Sequence, residues 1–157
     1  MFVDILRKLP IRHNEFIFFD LGSGKGGALL LASQFPFKEV IGVELSPSLH
    51  RIDCRNIQIY RDDSQQCRRI RCVYEDAASY RIPPEKAVFY LFNPFGRTIM
   101  QVVLANIEES LKRVPREIYV AYLKPQRRDL FDHSTVLRAI NDTDRYVIYH
   151  GRLGTTS

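Results

Sequence analysis

The chain has 157 residues, a net charge of +5 and 45% hydrophobic residues, which points to one folded domain, 1–157, with room for a two-sided α/β core. No apolar run approaches the ~18 residues of a membrane span, and no basic segment followed by an apolar stretch opens the chain. A membrane-spanning protein is excluded on that ground, and a cytoplasmic one is expected.

The elements alternate along the chain. "MFVDILRKLP" is amphipathic enough for a short helix. "EFIFFDL" reads as a buried strand, and "GGALLLASQF" as a helix opening out of a glycine loop. "EVIGVEL" is a second strand ending in an acid. "SPSLHRIDCRNIQIYRDD" reads as a helix, with Ser46 placed to cap it and Pro47 at its first position. "RIRCVYEDA" is a third strand, and "AVFYLFNPF" a fourth. "TIMQVVLANIEESLKR" spaces Ile99, Val102, Val103, Leu104, Ile107 and Leu111 as one helix face. "REIYVAYLK" is a fifth strand, "DLFDHSTVLRAI" a weaker helix, and "DRYVIYHG" a last strand before a frayed "RLGTTS". Loops are expected at "RDDSQQCRR" and "YRIPPEKA". Apolar strands alternating with amphipathic helices imply a mostly parallel sheet with helices on both faces.

Cys54, Cys67 and Cys72 lack C-x-x-C spacing, so reduced thiols and no metal site are expected. Basic residues concentrate in "CRRIRC" (Arg68, Arg69, Arg71) and "KPQRRD" (Lys124, Arg127, Arg128). Such density suits a polyanion such as nucleic acid, or a solvated surface. His13, His50, His133 and His150 are scattered and read as surface or capping residues.

The loop "DLGSGKGG" carries the chemistry. Gly22, Gly24 and Gly27 fit the G-x-G-x-x-G dinucleotide spacing. A phosphate-cradling P-loop is excluded: no Ser or Thr follows Lys25, and Phe19 stands where that pattern wants Gly. Asp20, two residues before Gly22, would repel a pyrophosphate. It would favour a ligand with cationic groups and no phosphate, such as S-adenosylmethionine (SAM).

With these residues the chain resembles the class I, Rossmann-like SAM-dependent methyltransferases over roughly residues 15 to 125. The resemblance implies that Asp20, Gly22, Ser23, Gly24 and Gly26 form the first cofactor motif. Amides of that loop would lie against the methionine carboxylate. Glu44, closing the second strand, would hold the ribose hydroxyls. Asp76 would contact the adenine amino group, with Ala77 offering a backbone N–H. Asn93-Pro94-Phe95 is similar to the N-P-P-Y loop of methyltransferases acting on amino nitrogens. There Asn93 would accept from the substrate amine beside the cofactor, Pro94 would fix the backbone, and Phe95 would pack on the acceptor. The second proline is missing and Phe replaces Tyr, which fits a protein lysine or another amine at least as well as a flipped base. Tyr122 or water would take a proton from an ammonium acceptor.

The family's sheet ends in two strands, and only "DRYVIYHG" is legible, so a shortened C-terminal pair is expected. Segments that would cap a substrate are not legible either, which implies a fragment or a minimal domain with an open cleft. Two other readings stand beside this one. An NAD-dependent oxidoreductase could use Glu44 on the ribose, although no Tyr-x-x-x-Lys is present. A non-catalytic module of the same fold could bind nucleic acid or protein through Arg68, Arg69, Arg71, Arg127 and Arg128.

Overall fold

A computed structural model describes residues 1–153 of the chain. The elements are α1 (Phe2–Lys8), a 3-10 turn (His13–Glu15), β1 (Ile17–Leu21), α2 (Gly27–Ala32), β2 (Glu39–Glu44), α3 (Pro47–Ile59) and β3 (Ile70–Tyr74). They continue with β4 (Ala87–Leu91), α4 (Arg97–Arg113), β5 (Glu117–Leu123), α5 (Arg128–Asp132), β6 (Leu137–Asp142) and β7 (Tyr146–Arg152). The strands form one seven-stranded sheet in the order β3-β2-β1-β4-β5-β7-β6. Pairing is parallel except where β7 runs against β5 and β6. The expected frayed end falls largely on residues 154–157, outside the described residues. The chain divides into two compact units, Met1–Ala77 and the remainder from Ala78.

In the first unit every residue of β1 is buried, as its unbroken apolar run requires of a strand covered on both faces. Phe18 stacks edge-on with Phe2 of α1, centroids 6.0 Å apart, and lies 5.4 Å from Phe37. Helix α2 packs on β1 and β2, and α3 on β2 and β3. Ser46 accepts a hydrogen bond from the Leu49 amide at 3.4 Å and Pro47 opens α3, as its sequence predicts.

The cysteines depart from expectation. Cys54 on α3 and Cys72 on β3 form a disulfide with Cα atoms 5.9 Å apart, while Cys67 is free and buried. Their 18-residue separation carries no local signature, because the chain returning from α3 into β3 brings them together.

In the second unit α4 buries Met100, Val103, Leu104, Ile107 and Leu111, one face of the helix. Arg116 ties the end of α4 to the preceding loop. Its guanidinium donates to Glu85 O, Ser110 O, Val114 O, Pro83 O and Ser110 Oγ at 2.7–3.2 Å. The expected helix "DLFDHSTVLRAI" is corrected: α5 ends at Asp132, and Leu137–Asp142 is strand β6. Ser134 Oγ accepts from the Val136 and Leu137 amides at 3.2 and 3.1 Å and redirects the chain into that strand. Only Leu137 of β6 is buried, so this edge strand lacks the alternation that would reveal it. Both C-terminal strands are therefore present, as a hairpin of six and seven residues.

Candidate functional site

The glycine loop leaves the C-terminal end of β1, where ligands bind in open α/β sheets. Gly22, Gly24 and Gly26 have φ of 84°, 59° and 84°. Gly27 is the first residue of α2 and is not among the positive-φ residues, so the backbone uses every second glycine. That is the G-x-G-x-G reading. The G-x-G-x-x-G spacing in the sequence has no counterpart in the backbone. The Gly22 and Ser23 amides donate to Val43 O at 2.8 and 3.1 Å, and Gly26 N donates to Ser23 O at 3.0 Å.

Glu44 closes on the same loop. Its Oε2 accepts from Gly24 N at 2.8 Å and its Oε1 from Ser46 N at 2.9 Å. Asp20 is 5% exposed. Burial, then the Asp53 and Glu44 carboxylates, hold its carboxyl well above the usual range.

Asp53 is a member of this site that the sequence did not single out. It is fully buried on α3, and its Oδ2 accepts from Ser23 Oγ at 2.7 Å. Its Oδ1 has no hydrogen-bond partner among the described residues. A Cβ on Gly26 would collide with that oxygen. Burial pushes the Asp53 carboxyl up, against the pull of the Ser23 hydrogen bond. Asp20, Gly22, Ser23, Gly24, Gly26 and Glu44 are thus brought together around one loop, with Asp53 beneath it. Asp76 and Ala77 follow the end of β3, where Glu75 N donates to Glu44 O at 3.3 Å; Asp76 is half-buried and Ala77 buried.

In the second unit the loop Asn93-Pro94-Phe95 follows β4. Asn93 has a φ of 45° and Lys124, just past β5, one of 42°. The two are clasped: Asn93 Nδ2 donates to Lys124 O at 2.6 Å, and Asn93 Oδ1 accepts from Tyr122 Oη–H and Gln126 N at 3.0 and 3.1 Å. Burial raises the Tyr122 phenol, whose hydroxyl also accepts from Arg127 N at 3.1 Å. Pro94 and Phe95 are half-buried.

The basic stretches are partly spent within the chain. Arg71 pairs with Glu39 at 2.6 Å, and Arg128 pairs with Asp132 and Asp142 at 2.9 and 2.8 Å. Arg68 and Arg69 are exposed.

No protein-family model matches the sequence, and no curated protein matches it. Solved structures do. An RNA methyltransferase from Salinibacter ruber, in complex with S-adenosyl-L-homocysteine, is 15% identical with a TM-score of 0.58, covering 96% of this chain and 88% of that one. An rRNA methylase from Streptococcus thermophilus is 14% identical with a TM-score of 0.61, covering 98% and 96%. The glycopeptide N-methyltransferase MtfA, complexed with SAM, is 16% identical with a TM-score of 0.56, covering 96% and 63%. With the strand order 3-2-1-4-5-7-6 and an antiparallel β7, the chain has the class I SAM-dependent methyltransferase fold.

Proposed function

We propose that the chain is a SAM-dependent methyltransferase whose acceptor is a nitrogen, as in a protein lysine or another amine. The observation that carries the cofactor is the charge at the glycine loop. Burial and the Asp53 and Glu44 carboxylates raise the proton affinity of Asp20 there, Glu44 adds to that of Asp53, and no cation of the described residues offsets the charge on Asp20. A cationic ligand relieves that repulsion, and a dinucleotide pyrophosphate would add to it. This disfavours the NAD reading. SAM fits the donor set: Asp20 faces an ammonium, Glu44 takes ribose hydroxyls, and Asp76 with the Ala77 amide serves the adenine. Bound there, SAM supplies an electrophilic methyl group on a sulfonium.

The nitrogen acceptor is supported by Asn93-Pro94-Phe95. Asn93 Oδ1 already takes two hydrogen bonds, the capacity of a carbonyl oxygen, so it receives an amine only after Tyr122 or Gln126 lets go. With no base in this loop, an acceptor ammonium loses its proton to water. The single-domain organisation belongs to the same proposal, and so does a cytoplasmic location, where the Cys54–Cys72 pair would be kept reduced. Exposed Arg68, Arg69 and Lys124 are the residues of the basic stretches that would meet an acidic acceptor.

Calorimetry with SAM, S-adenosylhomocysteine and NAD tests the cofactor. Micromolar or tighter binding of the first two, lost in Asp20→Ala, is expected; no heat with either would end the proposal. Incubation with methyl-labelled SAM and a lysate then tests the acceptor: label in protein or small amines supports nitrogen transfer, whereas label confined to hydroxyl groups overturns it.

A further inference from the structure

A second group of reactive side chains adjoins the cofactor loop, since Cys54 follows Asp53 on α3, but it shares none of the residues assigned to the cofactor. His50 and Cys54 stand one turn apart on α3 and therefore project from the same side of it. Cys72 of β3 meets them there. The three candidate ligand atoms lie within 4.8 Å of one another. Cys54 Sγ is 3.5 Å from His50 Nε2 and 3.9 Å from Nδ1. All three residues are half-buried, within reach of solvent yet held by the helix and the strand. The Tyr74 ring lies beside the imidazole, centroids 5.5 Å apart at 35°. The Cys54–Cys72 disulfide accounts for two of these groups. It gives no role to an imidazole placed against one of its sulfurs. Two thiolates and one imidazole are the donor set of a thiophilic divalent cation, with water completing four-coordination.

We propose that the dithiol form of this site binds one divalent cation of the zinc type through Cys54 Sγ, Cys72 Sγ and a ring nitrogen of His50, and that the disulfide is its closed, metal-free state. Opening the site breaks the S–S bond and takes up two electrons and two protons. Two equivalents of a small-molecule thiol supply them and are oxidised to one disulfide. Cation binding then displaces the two thiol protons to the solvent. Hydrogen peroxide reverses the change: it takes two electrons from the thiolates and two protons from solvent, the S–S bond re-forms, two waters leave, and the cation is released.

The test uses Cd2+ on the full chain, reduced with a phosphine and then freed of it under argon, with thiolate-to-metal absorption as the readout. One equivalent is expected to bind the reduced protein. The oxidised protein, the same chain with its disulfide intact, should bind at least about 100-fold more weakly, because both thiolates are gone. Cys54→Ser and Cys72→Ser should each weaken binding by about 100-fold and His50→Ala by about tenfold, while Cys67→Ser leaves it unchanged. Equal binding by oxidised and reduced protein, no thiolate absorption on reduction, or loss of binding in Cys67→Ser would each overturn the site. None of these readouts depends on SAM.

Discussion

Asp53 has one carboxylate oxygen held by Ser23 and the other without a partner among the described residues, directly beneath Gly26. Gly26→Ala therefore faces two penalties at once, a left-handed φ and a collision with a buried carboxylate. A loss of roughly 2–4 kcal/mol is expected in urea unfolding, summing about 1–2 for the backbone and 1–3 for the forced polar group. Asp20 invites the opposite experiment. Its folded pKa is raised above the unfolded 3.8, so the folded state holds its proton more tightly. Stability from this group is greatest below the unfolded pKa and falls as pH rises through the folded one. Asp20→Asn should thus stabilise the ligand-free protein near neutral pH by roughly 0.5–2 kcal/mol, with the gain vanishing in acid, while removing SAM binding. Unfolding at both pH values with parallel calorimetry checks this. Asp20 and Glu44 were legible because each ends a strand at a fixed interval from the glycines. Asp53 was not. It lies 30 residues from Ser23 on an amphipathic helix, where an acid ordinarily faces water.

Arg116 serves the ends of several segments together, since one guanidinium closes the C-terminus of α4 and pins the loop before β4. Burial lowers its proton affinity, yet carbonyl oxygens surround it and keep it satisfied. Arg116→Met removes all five of these bonds, although Ser110 O and Pro83 O keep the Val114 and Glu85 amides, and should cost about 1–3 kcal/mol by thermal or urea unfolding. Lys, with a compact point charge in place of a planar fork, should recover only part of it. Elements with strong periodicity, β1, β4 and α4, matched their sequence readings for a plain reason: burial on one or both faces writes itself into the residue pattern. β6 escaped because an edge strand with a single buried residue carries no such pattern, and its first turn is set by Ser134 rather than by apolar spacing.

Taken as a whole, the molecule has the strand order of its fold, although the three methyltransferase structures described above are only 14–16% identical to it. The alternation of strands and helices was enough to predict the mostly parallel sheet. The disulfide was beyond reach of the sequence because only the return from α3 to β3 creates it. Its loop of 18 residues predicts that reduction lowers the unfolding free energy by about 3 kcal/mol, through the greater freedom of the unfolded chain. Urea unfolding of oxidised and reduced protein in the presence of a chelator measures that difference. A change below about 1 kcal/mol would mean that the open chain is already constrained.

Glu44 spends one oxygen on Gly24 and the other on Ser46. Each oxygen keeps a second lone pair. The rotamer freedom of this long acid is therefore surrendered when the chain folds, before any ligand arrives. A diol that docks here meets an acceptor already aimed and owes no ordering entropy for it. The same two bonds make the carboxylate a gauge of the loop: whatever shifts Gly24 turns Glu44 with it.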